Sequence, residues 1–482
     1  MNSKVGILMP VASLPCRFGS GDFGPDAYRF VDDIAKAGFS IWQILPLNPL
    51  GYGNSPYQPF SSYAMDEMYI SLDLLSKEYP IGTIPNRREK AKAINYQDAK
   101  AFREKWLRQA FALFQETREY KKYIKEEEWL ESYAVFMAFK QANDLRPWNE
   151  WAPELRDYPE TRKTDLTPYQ EEIRYQCFLQ YILYKQWNDL KAYANGKGIQ
   201  IMGDIPFYVG LDSADCWSNR PNFLLTKNGK PRFIAGVPPD YFAATGQRWG
   251  NPIYDWDYME KDGFRFWIER IAYNYTHGMF DIIRVDHFRA FDTYWKIPAS
   301  SPTAMVGEWV EAPGIALFDK LFREYPDIHI VAEDLGDLRP EVYELRDRYG
   351  FAGMNILSFT FNPNTDNHVN PHCLAYTGTH DNETLAGYYR KKPAEEKKAW
   401  QKWFRKRGYE GKTVPEKFLS FTVTCGAEMI IVPMTDWLLL PIECTMNHPG
   451  TVGSPNWEWR LSSFEPFEEK LSWIRKLIRT AK

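Results

Sequence analysis

Residues 282–291 read IIRVDHFRAF, a short apolar run that ends in a cluster of charged side chains. Two isoleucines and a valine are typical of a buried strand, but four polar residues lie among or just after them: Arg284, Asp286, His287 and Arg289. Burying a charge is costly unless the charge is paired or hydrogen-bonded. The cluster therefore indicates either a salt-bridge network that caps a strand or an active site at the strand's carboxyl end.

Seven other apolar runs are spread along the chain, and many of them also end in polar residues. The eight predicted strands are VGILMP (5–10), IWQILPL (41–47), IQIMGDIP (199–206), FDIIRVDH (280–287), IHIVAEDL (328–335), MNILSFTF (354–361), CLAYTGTHD (373–381) and EMIIVPMTDWL (428–438). Continuous rather than alternating apolar runs indicate strands buried on both faces, and hence a parallel sheet. Helical patterns lie between many of them. Eight strand–helix units predict an α/β fold, a (β/α)8 TIM barrel.

Two connections between the predicted strands are too long for a simple helical crossover. After the second strand, residues 76–197 are mainly helix-like, which predicts a helical insertion. After the third strand, residues 207–279 are rich in Pro, Gly and Trp, which predicts a loop-rich subdomain that acts as a lid. We expect residues 1–482 to form a single barrel domain with these two insertions. Only 44 residues follow Leu438, too few for a C-terminal β-sandwich domain.

Composition limits the class of protein. Lys and Arg number 59 against 63 Asp and Glu, a net charge of −4, which argues against a nucleic-acid-binding protein. No run reaches 18 uncharged apolar residues, so no membrane span is expected, and the amino-terminal residues lack a signal-peptide pattern. Six cysteines without CxxC spacing indicate reduced thiols rather than disulfides. We therefore expect a cytoplasmic protein without nucleic-acid or membrane partners.

GSGDFG (19–24) matches the GxGxxG pattern of dinucleotide-binding proteins. The match is rejected, because about ten residues separate it from the end of the first predicted strand, whereas that pattern belongs to the tight turn right after a strand. The acidic residue expected further along is also missing. The motifs GxxxxGK[ST], HExxH and GxSxG do not occur, and the seven histidines show no metal-ligand cluster. The sequence therefore predicts no cofactor and no metal, and GSGDFG is interpreted as a turn before a helix.

Polar residues at the ends of four predicted strands form the candidate site. Each motif alone is also consistent with a turn or a helix cap. In a barrel, however, the carboxyl ends of the strands converge on one face, where active sites lie. Four coincidences at corresponding strand ends therefore favour an active site. The residues are Asp204 on the third strand, Arg284, Asp286 and His287 on the fourth, Glu333 and Asp334 on the fifth, and His380 and Asp381 on the seventh.

Several carboxylates that converge with an arginine and a histidine, without a metal or cofactor motif, fit cleavage of a glycosidic bond. That chemistry uses one carboxylate as nucleophile and a second carboxyl group, with a raised pKa, as acid and then base. Arg284 lies two positions before Asp286 and on the same side of the strand, so it would keep that carboxylate ionised. Asp286 is the candidate nucleophile, and Glu333 on the next strand is the candidate acid/base.

Eight motifs along the chain, taken together and in this order, resemble those of one enzyme family. They are PxxSLP near residue 10, NSPYQPFSS (54–62), GDIPFYV (203–209), GVPPDYFAATGQRWGNPIY (236–254), IIRVDHFRAF (282–291), VAEDLG (331–336), GTHDNET (378–384) and MNHPGT…NWEWR (446–460). The sequence resembles the 4-α-glucanotransferases of glycoside hydrolase family 77, the amylomaltases or disproportionating enzymes of the α-amylase clan. A single motif such as GDIP is weak, but the resemblance covers essentially the whole chain.

The resemblance implies a role for each candidate residue. Asp286 matches the family's nucleophile, which forms a covalent glucosyl intermediate, and Glu333 matches the acid/base. Asp381 matches a third carboxylate that holds the 2- and 3-hydroxyls of the sugar. The remaining matches are residues that bind or orient the sugar: Arg284, His380, Tyr57, Asp204, Trp249, Gln247, Ser55 and Asn447.

The implied reaction moves α-1,4-glucan segments from a maltooligosaccharide or α-glucan donor to a glucose or maltooligosaccharide acceptor. The residues alone predict cleavage and leave open whether a sugar or water accepts the glucosyl group. An α-amylase-like retaining hydrolase and a non-catalytic glucan-binding protein therefore stay as alternatives. The aromatic residues of the lid region are consistent with an acceptor platform and equally with a small core of the subdomain: Tyr241, Phe242, Trp249, Tyr254 and Trp256.

Overall fold

The computed structural model describes residues 3–87, 91–239 and 243–481, and a closed parallel barrel lies at its centre. The strands in these ranges are β1 (Lys4–Leu8), β2 (Ile41–Gln43), β3 (Gln200–Ile205), β4 (Phe233–Val237), β5 (Gln247–Pro252), β6 (Ile282–Val285), β7 (Thr293–Pro298), β8 (Glu308–Glu311), β9 (Ile330–Ala332), β10 (Ala352–Ile356), β11 (Cys373–Tyr376) and β12 (Met429–Pro433). The barrel order is β1-β2-β3-β6-β9-β10-β11-β12, and β12 pairs with β1. Each barrel strand overlaps one of the eight predicted runs, although β1 begins one residue and β10 two residues before its run, so the predicted TIM barrel is confirmed.

Helices surround the barrel and fill the segments between its strands. In chain order they are α1 (Pro25–Ala37), α2 (Leu72–Glu78), α3 (Tyr96–Leu113), α4 (Arg118–Glu126), α5 (Glu128–Ala142), α6 (Pro153–Arg156), α7 (Tyr158–Thr161), α8 (Gln170–Gly196), α9 (Ala214–Ser218), α10 (Trp256–Lys261), α11 (Arg265–Thr276), α12 (Gly314–Glu324), α13 (Pro340–Arg348), α14 (Leu357–Thr360), α15 (Leu385–Lys391), α16 (Ala394–Arg407), α17 (Val414–Val423), α18 (Met434–Trp437) and α19 (Glu465–Thr480). In the described ranges, none of these helices combines the length and the apolarity that a membrane crossing requires.

The long segment between β2 and β3 is largely helical, as the sequence predicts. It contains α2 to α8, and α8 alone has 27 residues and leads back to the barrel at β3. The Lys140 side chain of α5 is 1% exposed and forms an ion pair of 2.5 Å with Asp212, which follows β3. Lys140 also donates hydrogen bonds to two carbonyl oxygens in the turn that follows its own helix. This buried cation ties the helical insertion to the loop after β3.

A second sheet lies beside the barrel, with the antiparallel order β5-β4-β7-β8. Its first two strands belong to the predicted loop-rich segment after β3, but β7 and β8 follow the barrel strand β6. The subdomain is therefore built from two separate parts of the chain, which the sequence did not predict. The strand β8, EWVE, is short and mostly exposed, so it lacks the apolar run from which a buried strand is recognised.

The GSGDFG segment forms a turn that leads into α1. The Gly24 N–H donates to Asp22 Oδ1 at 2.9 Å, and Pro25 begins the helix, as is common at a first helical position. Two buried arginines hold the turn through carbonyl oxygens of residues 16–20: Arg103 at 2.9 and 3.0 Å, and Arg460 at 2.6 and 2.9 Å. The glycines therefore serve a backbone turn that side chains from α3 and from position 460 hold in place.

Candidate active site

The carboxyl ends of β3, β6 and β9 lie level, and this arrangement brings the predicted polar residues together. Asp204 on β3 is in register with Arg284 on β6. The backbone N–H of Asp286 donates to the last residue of β3, and that of Glu333 donates to the last residue of β6, each at 3.0 Å. Because neighbouring strands lie about 4.8 Å apart, Asp286 and Glu333 leave the barrel side by side.

Arg284 is a buried cation that joins two of the carboxylates. Its Nη1 donates to Asp204 Oδ2 at 2.6 Å and to Asp286 Oδ1 at 3.2 Å. The hydroxyl of Tyr57 donates to the same Asp204 oxygen at 2.7 Å. The Asp204 side chain is fully buried, so it supports Arg284 and Tyr57 from below the cleft. A direct sugar contact for Asp204, which the resemblance implies, stays a prediction.

Asp286 and Glu333 are two neighbouring carboxyl groups in different surroundings. Burial, and next the charge of Asp286, raises the pKa of Glu333 to about 8. Burial also raises the pKa of Asp286, and the charge of Arg284 opposes that change. The Asp286 side chain is 26% exposed and accepts the hydrogen bond from Arg284, which favours its ionised form. We therefore assign the proton of this pair to Glu333 and the negative charge to Asp286.

His287 turns the chain immediately after Asp286. Its φ of 49° lies in the left-handed region, which few residues other than glycine adopt. The turn aims its backbone N–H at Glu333 Oε2, at 2.7 Å, and packs its ring against Trp249, with centroids 4.9 Å apart. Burial lowers the pKa of His287 to about 3, so the ring is neutral. His287 was a candidate site residue without an assigned role, because a positive φ leaves no residue-type signal here.

An aromatic group forms the other flank of the site. The ring of Tyr57 stacks on His380 with centroids 5.2 Å apart, and Trp457 lies 5.6 and 5.8 Å from these two rings. Beside them, Asn447 Nδ2 donates to Asp381 Oδ1 at 2.7 Å. Burial lowers the pKa of His380. Trp457 was not predicted as a site residue, although it belongs to the NWEWR motif, since its contact with Tyr57 joins distant parts of the chain.

These residues border a cleft of about 620 Å³ at the carboxyl end of the barrel, a volume typical of small-molecule sites. The predicted site residues that line it are Ser55, Tyr57, Gln247, Trp249, Asp286, His380, Asp381 and Asn447. Tyr52 and residues 449–453 form part of its rim, which the sequence did not predict. Within the described ranges, no group of three His, Cys, Asp or Glu is arranged to hold a metal ion.

One side of the cleft is formed by β5. Gln58 donates to the carbonyl oxygen of Trp249 at 2.8 Å, and Trp249 Nε1 donates to Gln247 Oε1 at 3.2 Å. Tyr254 and Trp256 are only 1% and 8% exposed, so these two rings pack in the subdomain core and do not form an acceptor platform. Tyr241 and Phe242, which the sequence also proposed for the platform, lie outside the described residues.

Comparison with known proteins identifies relatives over nearly the whole chain. A family model described as 4-alpha-glucanotransferase matches residues 9–465. The 4-alpha-glucanotransferase of Thermus thermophilus is 40% identical over 481 residues, which cover 95% of this chain and 94% of the relative. The one from Streptococcus pneumoniae (strain TIGR4) is 40% identical over 478 residues, which cover 95% and 93%.

Solved structures give the same result. The amylomaltase from Streptococcus agalactiae, in complex with acarbose, superposes with a TM-score of 0.93 at 34% identity and covers 100% of this chain and 99% of that one. The amylomaltase from Corynebacterium glutamicum superposes with a TM-score of 0.79 at 19% identity and covers 99% and 75%. The second likeness concerns the fold alone.

Proposed function

The chain belongs to the 4-alpha-glucanotransferase family of enzymes, and we propose that it moves α-1,4-glucan segments between maltooligosaccharides through a covalent glucosyl intermediate on Asp286. The observation that carries this proposal is the unequal pair of carboxyl groups at the barrel rim. Asp286 accepts a hydrogen bond from Arg284, and Glu333 has a pKa raised to about 8. A retaining mechanism needs such a pair, one group ionised and one protonated.

In the first step, the Asp286 carboxylate attacks the anomeric carbon of the donor sugar while Glu333 gives its proton to the departing glycosidic oxygen. The C1–O bond breaks and a C1–Oδ ester bond forms. Arg284 is bonded to Oδ1 of Asp286, which leaves Oδ2 to attack. The ends of neighbouring strands suit this mechanism, because retaining enzymes hold their carboxyl groups about 5–5.5 Å apart.

In the second step, the 4-hydroxyl of an acceptor sugar replaces the departed chain. Its oxygen attacks C1, the ester bond to Asp286 breaks, and Glu333 takes the hydroxyl proton. The acceptor therefore occupies the flank beside Glu333, where His287, Trp249 and Gln247 lie. The glucosyl group that stays on the enzyme occupies the opposite flank.

On that opposite flank, the aromatic group and the polar pair beside it suit a sugar ring. Tyr57 offers a ring face for stacking, and Asp381 with Asn447 offers hydrogen-bond partners for the 2- and 3-hydroxyls. His380 orients the sugar, and Ser55 lies on the same wall of the cleft. The burial of Arg284 and Asp204 gives these two residues a supporting role, since they hold Asp286 and Tyr57 in place.

We extend the proposal to the whole chain. Residues 1–482 act as one catalytic barrel, with a mainly helical insertion at 76–197 and a lid and acceptor subdomain at 207–279, whose sheet β7 and β8 complete. The donor is a maltooligosaccharide or α-glucan, the acceptor is glucose or a maltooligosaccharide, and no cofactor takes part. The enzyme works in the cytoplasm. A hydrolase would use the same carboxyl groups with water as acceptor, so the products must decide between the two reactions.

Incubation with pure maltotriose, followed by separation of the products by size, tests this function. Longer maltooligosaccharides together with glucose are the expected products. Only shorter products would establish a hydrolase, and unchanged maltotriose would contradict catalysis.

The variant Asp286→Asn should lose at least about a thousandfold in kcat, as expected when a nucleophile is removed, while the exposed control Asp327→Asn keeps full activity. Near-normal turnover by a folded Asp286→Asn would refute the assigned nucleophile.

A further inference from the structure

The cleft carries one cationic side chain that the reaction described above does not use. Among the lining residues in the described ranges, Arg248 is the single lysine or arginine, whereas Asp286 and Asp381 are both anionic. Arg248 is exposed on β5, between Gln247 and Trp249. An unassigned cation in a cleft that otherwise holds carboxylates is a candidate for ligand recognition.

Arg248 is nearly free of partners within the protein. Its Nη2 donates one long hydrogen bond, 3.4 Å, to the carbonyl oxygen of Ala299. No carboxylate in the described part of the chain forms an ion pair with it, in contrast to Arg284, which contacts two. A guanidinium has five N–H donors in a planar fork that suits phosphate and carboxylate groups. Most of the donors of Arg248 are therefore available to a ligand.

Arg248 lines the cleft on the strand that forms its acceptor side, and its side chain leaves β5 on the face opposite to Gln247 and Trp249. Its neighbour Trp249 packs against His287, and the N–H of His287 is bonded to Glu333. Glu333 is the group that exchanges a proton first with the leaving oxygen and then with the acceptor hydroxyl. A ligand that reaches Arg248 past this group is therefore the acceptor, and not the glucosyl group held beside Asp381.

We propose that Arg248 selects acceptors that carry an anionic substituent, such as a glucose with a phosphate or carboxylate group that leaves the 4-hydroxyl free. The inference rests on the proposed transferase function and names a further acceptor class for it. The acceptor O4 bonds to C1, the ester bond to Asp286 breaks, and the O4 proton goes to Glu333. The anionic substituent takes no part in these bond changes and pairs with the guanidinium.

Acceptor competition at one donor concentration tests the proposal. The measured quantity is the ratio of kcat/KM for glucose 6-phosphate to kcat/KM for glucose, with maltotriose as donor, in the wild type, Arg248→Gln and Arg248→Lys. We expect the ratio to fall by about three- to tenfold in Arg248→Gln, the range between an exposed ion pair and a forked, charge-assisted contact. Arg248→Lys should retain part of the wild-type preference for glucose 6-phosphate, and added salt should lower the wild-type ratio.

The ratio separates recognition from a structural role. If Arg248 only fastens β5 to residue 299, Arg248→Gln will slow transfer to both acceptors alike, and an unchanged ratio would overturn the proposal. Glucuronate as a third acceptor distinguishes phosphate from carboxylate. If Arg248→Gln lowers the kcat/KM ratio to glucose for both glucose 6-phosphate and glucuronate, the site selects by charge. If it lowers the ratio for glucose 6-phosphate alone, the site selects phosphate. Failure of the wild type to transfer to glucose would instead contradict the proposed function.

Discussion

Among single residues, the site depends most on Arg284, a buried arginine between two carboxylates. Its position explains why Arg284 and Asp286 lie in and just after the apolar strand at 282–285. The strand buries the backbone. Asp204, which also accepts a hydrogen bond from the Tyr57 hydroxyl, holds the guanidinium from one side, and Asp286 accepts a hydrogen bond from it on the other. Removing one partner of a buried ion pair costs about 3–5 kcal/mol, because a buried charge remains. Position 204 therefore influences both stability and ionisation.

The variant Asp204→Asn should separate these two effects. We expect the free energy of unfolding to fall by about 3 kcal/mol. The charge of Asp204 raises the pKa of Asp286, so its loss should move the acid limb of kcat/KM to lower pH. Urea unfolding and a pH profile measure the two outcomes. An acid limb that moves to higher pH, or a stability equal to that of Asp327→Asn, would contradict the arrangement.

Glu333 should set the alkaline limb of the pH profile. It must be protonated to release the leaving group, and its pKa is raised to about 8, so kcat/KM should fall as the pH rises through about 8. Glu333→Gln cannot supply the proton and should lose about 10²- to 10⁴-fold with maltotriose.

A donor whose leaving group needs no proton, such as maltosyl fluoride, is the control for Glu333→Gln. With maltosyl fluoride the first step needs no proton from residue 333. Glu333→Gln should therefore slow formation of the covalent intermediate far less with this donor than with maltotriose. Equal losses with both donors, or an alkaline limb that persists in the variant, would remove Glu333 from the acid role.

At the scale of elements, the sequence predicted those strands that are buried on both faces. Runs such as VGIL and MIIV are continuous and apolar because helices cover the outside and side chains fill the inside. The polar residues that end other barrel strands predicted Asp286, Glu333 and Asp381 as site residues, since all barrel strands present their carboxyl ends on one face. The short exposed strand β8 and the contact of Trp457 with Tyr57 and His380 were not predicted, because both depend on partners far away in the chain.

The attachment of the helical insertion gives a prediction at this scale. Lys140 of α5 is buried and bonded to Asp212 and to two carbonyl oxygens, so Lys140→Met leaves these acceptors unpaired. We expect the free energy of unfolding to fall by about 3 kcal/mol and proteolysis at residues 143–146 to accelerate. Lys398→Met removes a lysine whose side chain is 70% exposed and should change neither. Similar behaviour of the two variants would show that Lys140 does not hold the insertion.

At the scale of the whole molecule, three buried carboxyl groups outside the cleft affect stability as the pH changes. Burial raises the pKa of Asp22, Asp215 and Asp436 to about 6 each, from an ordinary value of 3.8. The folded state therefore binds more protons than the unfolded state between these values. Stability from this source is fully present below about pH 4 and is lost as the pH rises through about 6.

Asp436 offers the clearest test, because an asparagine fits its surroundings. Its Oδ1 accepts a hydrogen bond from the N–H of Leu385 at 2.7 Å and its Oδ2 accepts one from the Thr377 hydroxyl at 2.6 Å. The asparagine amide can accept the first bond and donate to the threonine oxygen in place of the second. Asp436→Asn removes the titration and keeps the packing, so the two proteins should differ little at pH 4.

Between pH 4 and pH 7, the stability of Asp436→Asn relative to the wild type should then rise by up to about 3 kcal/mol, since one pKa unit corresponds to about 1.4 kcal/mol. Urea unfolding of both proteins at several pH values measures the difference, and other titrating groups cancel in it. Asp327→Asn, at an exposed position, should show no such trend. A difference that stays constant would mean that the pKa of Asp436 is ordinary in the folded state, and a difference that falls with pH would mean that it is lowered; either result would contradict the raised pKa.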